Sequence, residues 1–176
     1  FITLVLYITL KYYCNSKILD SSRERIEEIS SSNNYHIYET QYYKFSQSNE
    51  ENYYTTEIFY KDGKYKEIEK IDSSLNEYET YNQAGELIIR MPSIYFGEGI
   101  VKTLNSIILD IRTDNFRGIE CYVLKNSDKS SYREIWIDKE TMLPIREVQD
   151  IYNEQYDEKT FFIYFNTVTE EDVTKK

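Results

Sequence analysis

From residue 35 onward the chain alternates apolar and polar positions with the period of a strand. In 35–45, Tyr35 and Ile37 fall on one side and His36, Tyr38 and Thr40 on the other. The alternation returns in 53–60, 65–71, 77–81 and 86–91, and polar stretches separate these runs. Lys61-Asp62-Gly63-Lys64 is a tight turn between two of them, because Asp-Gly readily takes the positive φ such turns require. The clearest pair lies in 132–148. Tyr132, Glu134 and Trp136 oppose Arg133, Ile135 and Ile137, and beyond a polar turn Ile145 alternates with Arg146 and Glu147 with Val148, which is a β-hairpin. Runs at 116–125 and 161–168 complete an antiparallel meander of about seven to nine strands.

Two stretches switch to helical spacing. Ser21-x-x-Glu24 is a capping box, Ile18 is placed to staple it, and Ile26 with Ile29 form a stripe, so the pattern predicts a short helix over 21–32 that Asn33-Asn34 ends. After the break at 92–99, Ile100, Leu104, Ile107, Ile108 and Ile111 recur at helical spacing and predict a second helix over 100–111. The tail 170–176 carries no pattern and is expected to fray. No repeat or low-complexity linker divides the chain. Residues 1–17 form a leading segment and 18–176 one domain, and the predicted class is α+β, mainly β, with two helices packed on the concave face of a curved antiparallel sheet.

The leading segment changes the picture most. Residues 1–10 are uncharged and largely apolar, and Lys11, Tyr12, Tyr13 and Cys14 follow. Ten residues fall short of the roughly 20 that span a bilayer, but the run fits part of a signal peptide or a membrane anchor. In that reading Cys14 is the candidate lipid-bearing residue of an exported lipoprotein, although Tyr12 and Tyr13 stand where a lipoprotein signal has small residues. Thr3, Val5, Tyr7 and Thr9 are also good strand formers, so a buried first strand is the competing expectation.

Composition adds two constraints. Of 176 residues 19 are Tyr, a side chain suited to half-buried pleated surfaces, which favours strands. The formal charge of −10 argues against nucleic acid and anionic lipid as partners and favours neutral or basic ones. Cys121 shares a strand face with Ile119 and Val123 and is expected to be a buried small residue. Cys14 and Cys121 make no disulfide framework, and with one histidine, His36, the chain has no zinc-ligand set. Gly97-Glu98-Gly99 lacks the Lys of a phosphate loop. A two-carboxylate hydrolase needs two acids in one cleft, and Asp110 and Glu120 are the acids with apolar neighbours to weigh for it. The balance is a non-enzyme without metal or cofactor. A sheet with helices on one side encloses an apolar groove, for which Tyr42, Phe45, Phe59, Trp136 and Phe162 from strands are the candidate lining. Ile88, Leu104 and Ile108 from the middle of the chain complete that set. An ordinary packed core is the competing place for all eight. Exposed strands would allow a homodimer, with 161–165 and 1–10 the least protected by charge or proline.

Two motifs carry a resemblance. Gly118-Ile-Glu-Cys-Tyr-Val-Leu124 and Ile135-Trp-Ile-Asp-Lys-Glu-Thr-Met-Leu-Pro-Ile-Arg146, in the order helix, strand, meander, helix, hairpin, resemble the LolA/LolB/RseB-like superfamily of exported lipoprotein-handling domains over 21–168. The resemblance implies an unclosed half-barrel whose groove holds acyl chains in carriers and is adapted to sensing or protein binding in other members. The Tyr-, Lys- and Ile-rich, Gly-poor composition is similar to that of a low-GC Gram-positive relative. The germination lipoproteins of the GerS type, from spore formers, are similar in size, in domain order and in a membrane-proximal Cys. They imply a non-enzymatic, membrane-anchored partner of a cell-envelope protein, an N-acetylmuramoyl-L-alanine amidase that modifies spore cortex. The alternative is a carrier or sensor of a lipid or other apolar ligand in the groove.

Overall fold

The computed structural model describes residues 2–46, 51–71, 76–83, 109–127, 131–151 and 155–174. One long helix, α1 (Ile2–Ser31), is followed by β1 (Asn34–Phe45), β2 (Glu51–Lys61), β3 (Lys64–Ile71) and β4 (Asn76–Gln83). Then come β5 (Asp110–Phe116), β6 (Ile119–Ser127), β7 (Ser131–Asp138), β8 (Pro144–Ile151), β9 (Gln155–Phe165) and a 3₁₀ turn (Glu171–Val173). The strands form one antiparallel sheet in the order β4-β3-β2-β1-β9-β8-β7-β6-β5, which does not close on itself. It is therefore two meanders, β1–β4 and β5–β9, joined along the pairing of β1 with β9.

The turns follow the local chemistry. Asp62 and Gly63 both take positive φ, 48° and 82°, the pattern of a two-residue hairpin turn whose twist matches its strands. Arg117 and Gly118 do the same between β5 and β6, at 52° and 89°. The Asp138–Pro144 turn is held by its own side chains. Asp138 accepts from the Glu140 N–H (2.9 Å) and the Thr141 hydroxyl (2.6 Å), while the Met142 N–H donates to the Asp138 carbonyl at 2.9 Å.

α1 crosses one face of the sheet. Its buried positions Asn15, Leu19, Ser22 and Ile29 lie three, four or seven residues apart and make a single stripe. Leu19 packs with Leu109, Leu124, Ile135 and Ile137 of the second meander, and Ile29 with Tyr35, Ile37 and Ile58 of the first. The helix thus bridges both meanders. A third cluster, Cys121, Val123, Trp136 and Ile145, lies on the opposite face.

Several expectations are corrected. Among the described residues there is one α-helix and a 3₁₀ turn, not two helices. Most of the predicted helix 100–111 lies outside the described residues, as does 86–91, but Asp110 and Ile111 open β5, an extended edge pairing with β6. The capping box at Ser21 starts no helix. No Pro or Gly interrupts 2–20, so the helix runs through Ser21 from Ile2, and residues 2–10 do not supply a first strand. The run 161–165 lies in β9 and pairs with β1, from Phe161 with Glu39 to Phe165 with Tyr35, whereas the β8 ladder on its other side covers 155–160.

Candidate functional site

The sheet face turned away from α1 divides into two halves. In the second meander the side chains cover themselves. Trp136 is 6% exposed although it lies on the face opposite α1. The guanidiniums of Arg112 and Arg146 lie over its ring, at 5.9 and 4.9 Å from the centroid, and Arg146 also lies over Phe116. Each arginine is fixed by a carboxylate of the sheet: Arg112 Nη1 of β5 reaches across β6 and donates to Glu134 of β7 at 2.7 Å, and Arg146 Nε of β8 donates to Glu158 of neighbouring β9 at 2.7 Å. Arg112 is held more firmly protonated than usual by its bond to the buried Glu134. Burial, then the Glu134 and Glu158 carboxylates, push the Tyr132 and Tyr156 hydroxyls up to about 12. Tyr156 donates to Glu158 at 2.9 Å.

Around the seam between the meanders the same face is a run of rings across β2, β1 and β9. His36 stacks on Phe59 (4.3 Å, 7°) and on Tyr164 (5.5 Å, 26°), with Glu57 Oε2 at 3.3 Å from its Nε2. Tyr38 meets Phe162 at 6.5 Å, and Tyr42 stands between Tyr53 at 4.8 Å and Tyr156 at 5.9 Å. The register explains the row, since cross-strand partners share a face: His36 opposes Phe59 and Tyr164, Tyr38 opposes Phe162, and Tyr42 opposes Tyr53. The 3₁₀ turn packs against β2 and β3, yet Tyr53 and Tyr164 stay 49% and 47% exposed.

Of the eight residues named for a groove under helices, Tyr42, Phe59, Phe162 and Trp136 therefore lie on the face away from α1, three of them in the aromatic row and Trp136 under the arginines. Phe45 ends β1 half exposed, its ring edge-on to Tyr43 at 4.5 Å. Ile88, Leu104 and Ile108 lie outside the described residues. On the α1 side the sheet beyond the helix is polar, with buried Glu39 and Thr56 and the Gln41 amide donating to both oxygens of Asp157 at 2.9 Å. Burial raises the Asp157 carboxyl above its ordinary range in spite of that amide. Sequence patterning does not single out Tyr53, Tyr156 and Tyr164. Their signal is register, which pairs them with positions that it does.

The acids weighed for catalysis do not meet: Asp110 and Glu120 are exposed, and register puts them on opposite faces of the sheet. Among the described residues no group of His, Cys, Asp or Glu could hold a metal ion. Cys121 is fully buried, and burial pushes its thiol up. Cys14 is an exposed residue within α1, one position before Asn15, whose amide donates to the Leu109 carbonyl at 3.1 Å. Ahead of Cys14 the helix stands clear of the sheet, with Ile2 83%, Leu4 59%, Leu6 58%, Tyr7 63% and Leu10 55% exposed. No described helix is long and apolar enough to cross a membrane.

No family model and no curated protein sequence matches the chain. Solved structures similar to it include MucB in the MucA/MucB complex of Pseudomonas aeruginosa, at 18% identity over 89% of this chain and 61% of that one, TM-score 0.46. Others are the lipoprotein LppX of Mycobacterium tuberculosis (9% identity, 90% and 99% covered, TM-score 0.43) and a DUF1329 family protein of Desulfovibrio piger (9%, 90% and 98%, TM-score 0.33). The chain spans about three fifths of the MucB chain.

Proposed function

We propose that the chain is an exported, membrane-tethered binding module that performs no catalysis and docks another protein of the cell envelope on the aromatic row of β2, β1 and β9. The observation that carries this is the exposure of Tyr53 and Tyr164 at the two margins of a row whose inner rings already stack on one another. Rings held in place lose little entropy on binding and offer large contact area, which is why Tyr and Phe are enriched at interface cores. A net charge of −10 selects a neutral or basic partner surface. Residues 1–17 serve as tether, through the apolar turns of α1 or a lipid on Cys14, and 18–176 as the binding domain. The sequence resemblance supports a finer version, in which the module is a germination lipoprotein of the spore envelope and its partner an N-acetylmuramoyl-L-alanine amidase.

The test is capture from the native envelope by the full chain beside a Tyr53→Ala, Tyr164→Ala form, followed by direct titration with the purified amidase. A partner held by the parent and lost by the variant is expected. If nothing is held, and acyl chains are released from the purified protein by solvent extraction, the chain is an apolar-ligand carrier instead. Light scattering of the same sample distinguishes a monomer from a homodimer.

A further inference from the structure

We infer that α1 is a rigid stalk: its turns before Lys11 enter a lipid bilayer, and the unbroken helix holds the sheet at one height and tilt above it. This rests on the tether proposed above and specifies how that tether works. Residues 2–10 carry no charge, and the large exposed side chains Ile2, Leu4, Val5, Leu6, Tyr7, Ile8 and Leu10 point in every direction around the helix, since each residue advances by about 100°. A groove on a protein covers one stripe of a helix. An apolar surface on all sides is covered by lipid. The Thr9 hydroxyl donates back to the Val5 carbonyl at 2.9 Å, which spares it an unpaired donor in hydrocarbon.

The next turns of the helix fit the headgroup region. Lys11, Tyr12, Tyr13 and Lys17 are the residue types that sit at a membrane interface, Tyr13 being 66% exposed. One residue beyond Cys14 the helix is already clamped, by Asn15 to Leu109 and then by Leu19 in the core. No flexible segment separates the apolar turns from the sheet, so the domain cannot swing as it would on a linker. With a net charge of −10 the surface it stands on is a neutral phospholipid one.

The experiment uses the purified full chain with Cys14→Ser, which leaves only the buried Cys121 thiol, and a reporter dye on Ser127→Cys or Lys70→Cys, both exposed positions. Phosphatidylcholine vesicles carry an acceptor lipid. The protein should float with the vesicles, and each reporter should show one narrow distance to the surface. Inserting Gly-Ser-Gly-Ser after Tyr13 should leave flotation intact and broaden both distributions at least about twofold, since such a segment behaves as a coil. Leu6→Asp should weaken flotation by about tenfold or more. A parent as broad as the insertion form overturns the stalk while the tether stands, whereas a parent that does not float removes both. A chain isolated from the native membrane that starts at a lipid-modified Cys14 overturns the stalk as well.

Discussion

The two halves of the face opposite α1 are built from the same materials and end differently. Around Trp136 the arginines on β5 and β8 lie over the rings and are anchored by Glu134 and Glu158, and on this face, which no described helix covers, Trp136 is 6% exposed. Across β2, β1 and β9 the rings stack on each other and leave the margins in water. The aliphatic part and flat head of Arg can close a surface that no helix covers. Where that closure is missing, aromatic surface remains for another molecule. One half is closed by its own side chains and the other leaves aromatic rings exposed.

The sharpest way to break this contrast is Trp136→Ala. Truncating a buried aromatic costs about 3–5 kcal/mol, so the variant should unfold at clearly lower denaturant than the parent, and an unchanged midpoint would show that the arginines do not close this half. Arg112→Ala comes next. It leaves the buried Glu134 short of its charged donor, for an expected loss of about 1–3 kcal/mol in the same measurement. A milder effect appears in alkali. Tyr132 and Tyr156 hold their protons to about 12 when folded, against 10 when unfolded, so between those values the unfolded state has released protons that the folded state keeps. Their contribution is complete below about pH 10 and disappears as pH rises through 12. Equilibrium unfolding measured from pH 9 to 12 should show that decline, and Tyr132→Phe should flatten it. The smallest change in stability belongs to the open half: Tyr53→Ala and Tyr164→Ala should each stay within about 0.5 kcal/mol of the parent. A large loss there would make the row part of the core rather than a docking surface.

Features set by neighbours in the chain were legible in the sequence. The Asp62-Gly63 turn follows from two residues, the 132–148 hairpin from strict alternation, and the alternation of β1 from Tyr35 onward in the same way. What failed depends on distant partners. The capping box at Ser21 is a correct local signal, but nothing before it stops a helix, and the upstream turns override it. β5 reads Asp-Ile-Arg-Thr-Asp-Asn-Phe, too polar to show a buried face, because among the described strands it pairs with β6 alone. Alternation says which residues share a face and never which face α1 will cover. Tyr42, Phe59, Phe162 and Trp136 could therefore be grouped from the sequence, while only the register places them on the face opposite α1.

The seam between β1 and β9 also governs when the molecule can exist as one piece. Tyr35 meets Phe165 and Lys44 meets Tyr156, so among the described strands the only pairing that joins the two meanders waits for the last strand to arrive. Every other pairing among the described strands links elements that are consecutive in sequence and can form early. Non-local closure of this kind slows folding and keeps intermediates open. A chain emerging in order should thus carry a finished β1–β4 meander with an unpaired β1 edge until β9 follows. In the exported module proposed above, that delay would keep the sheet from closing on a partial chain.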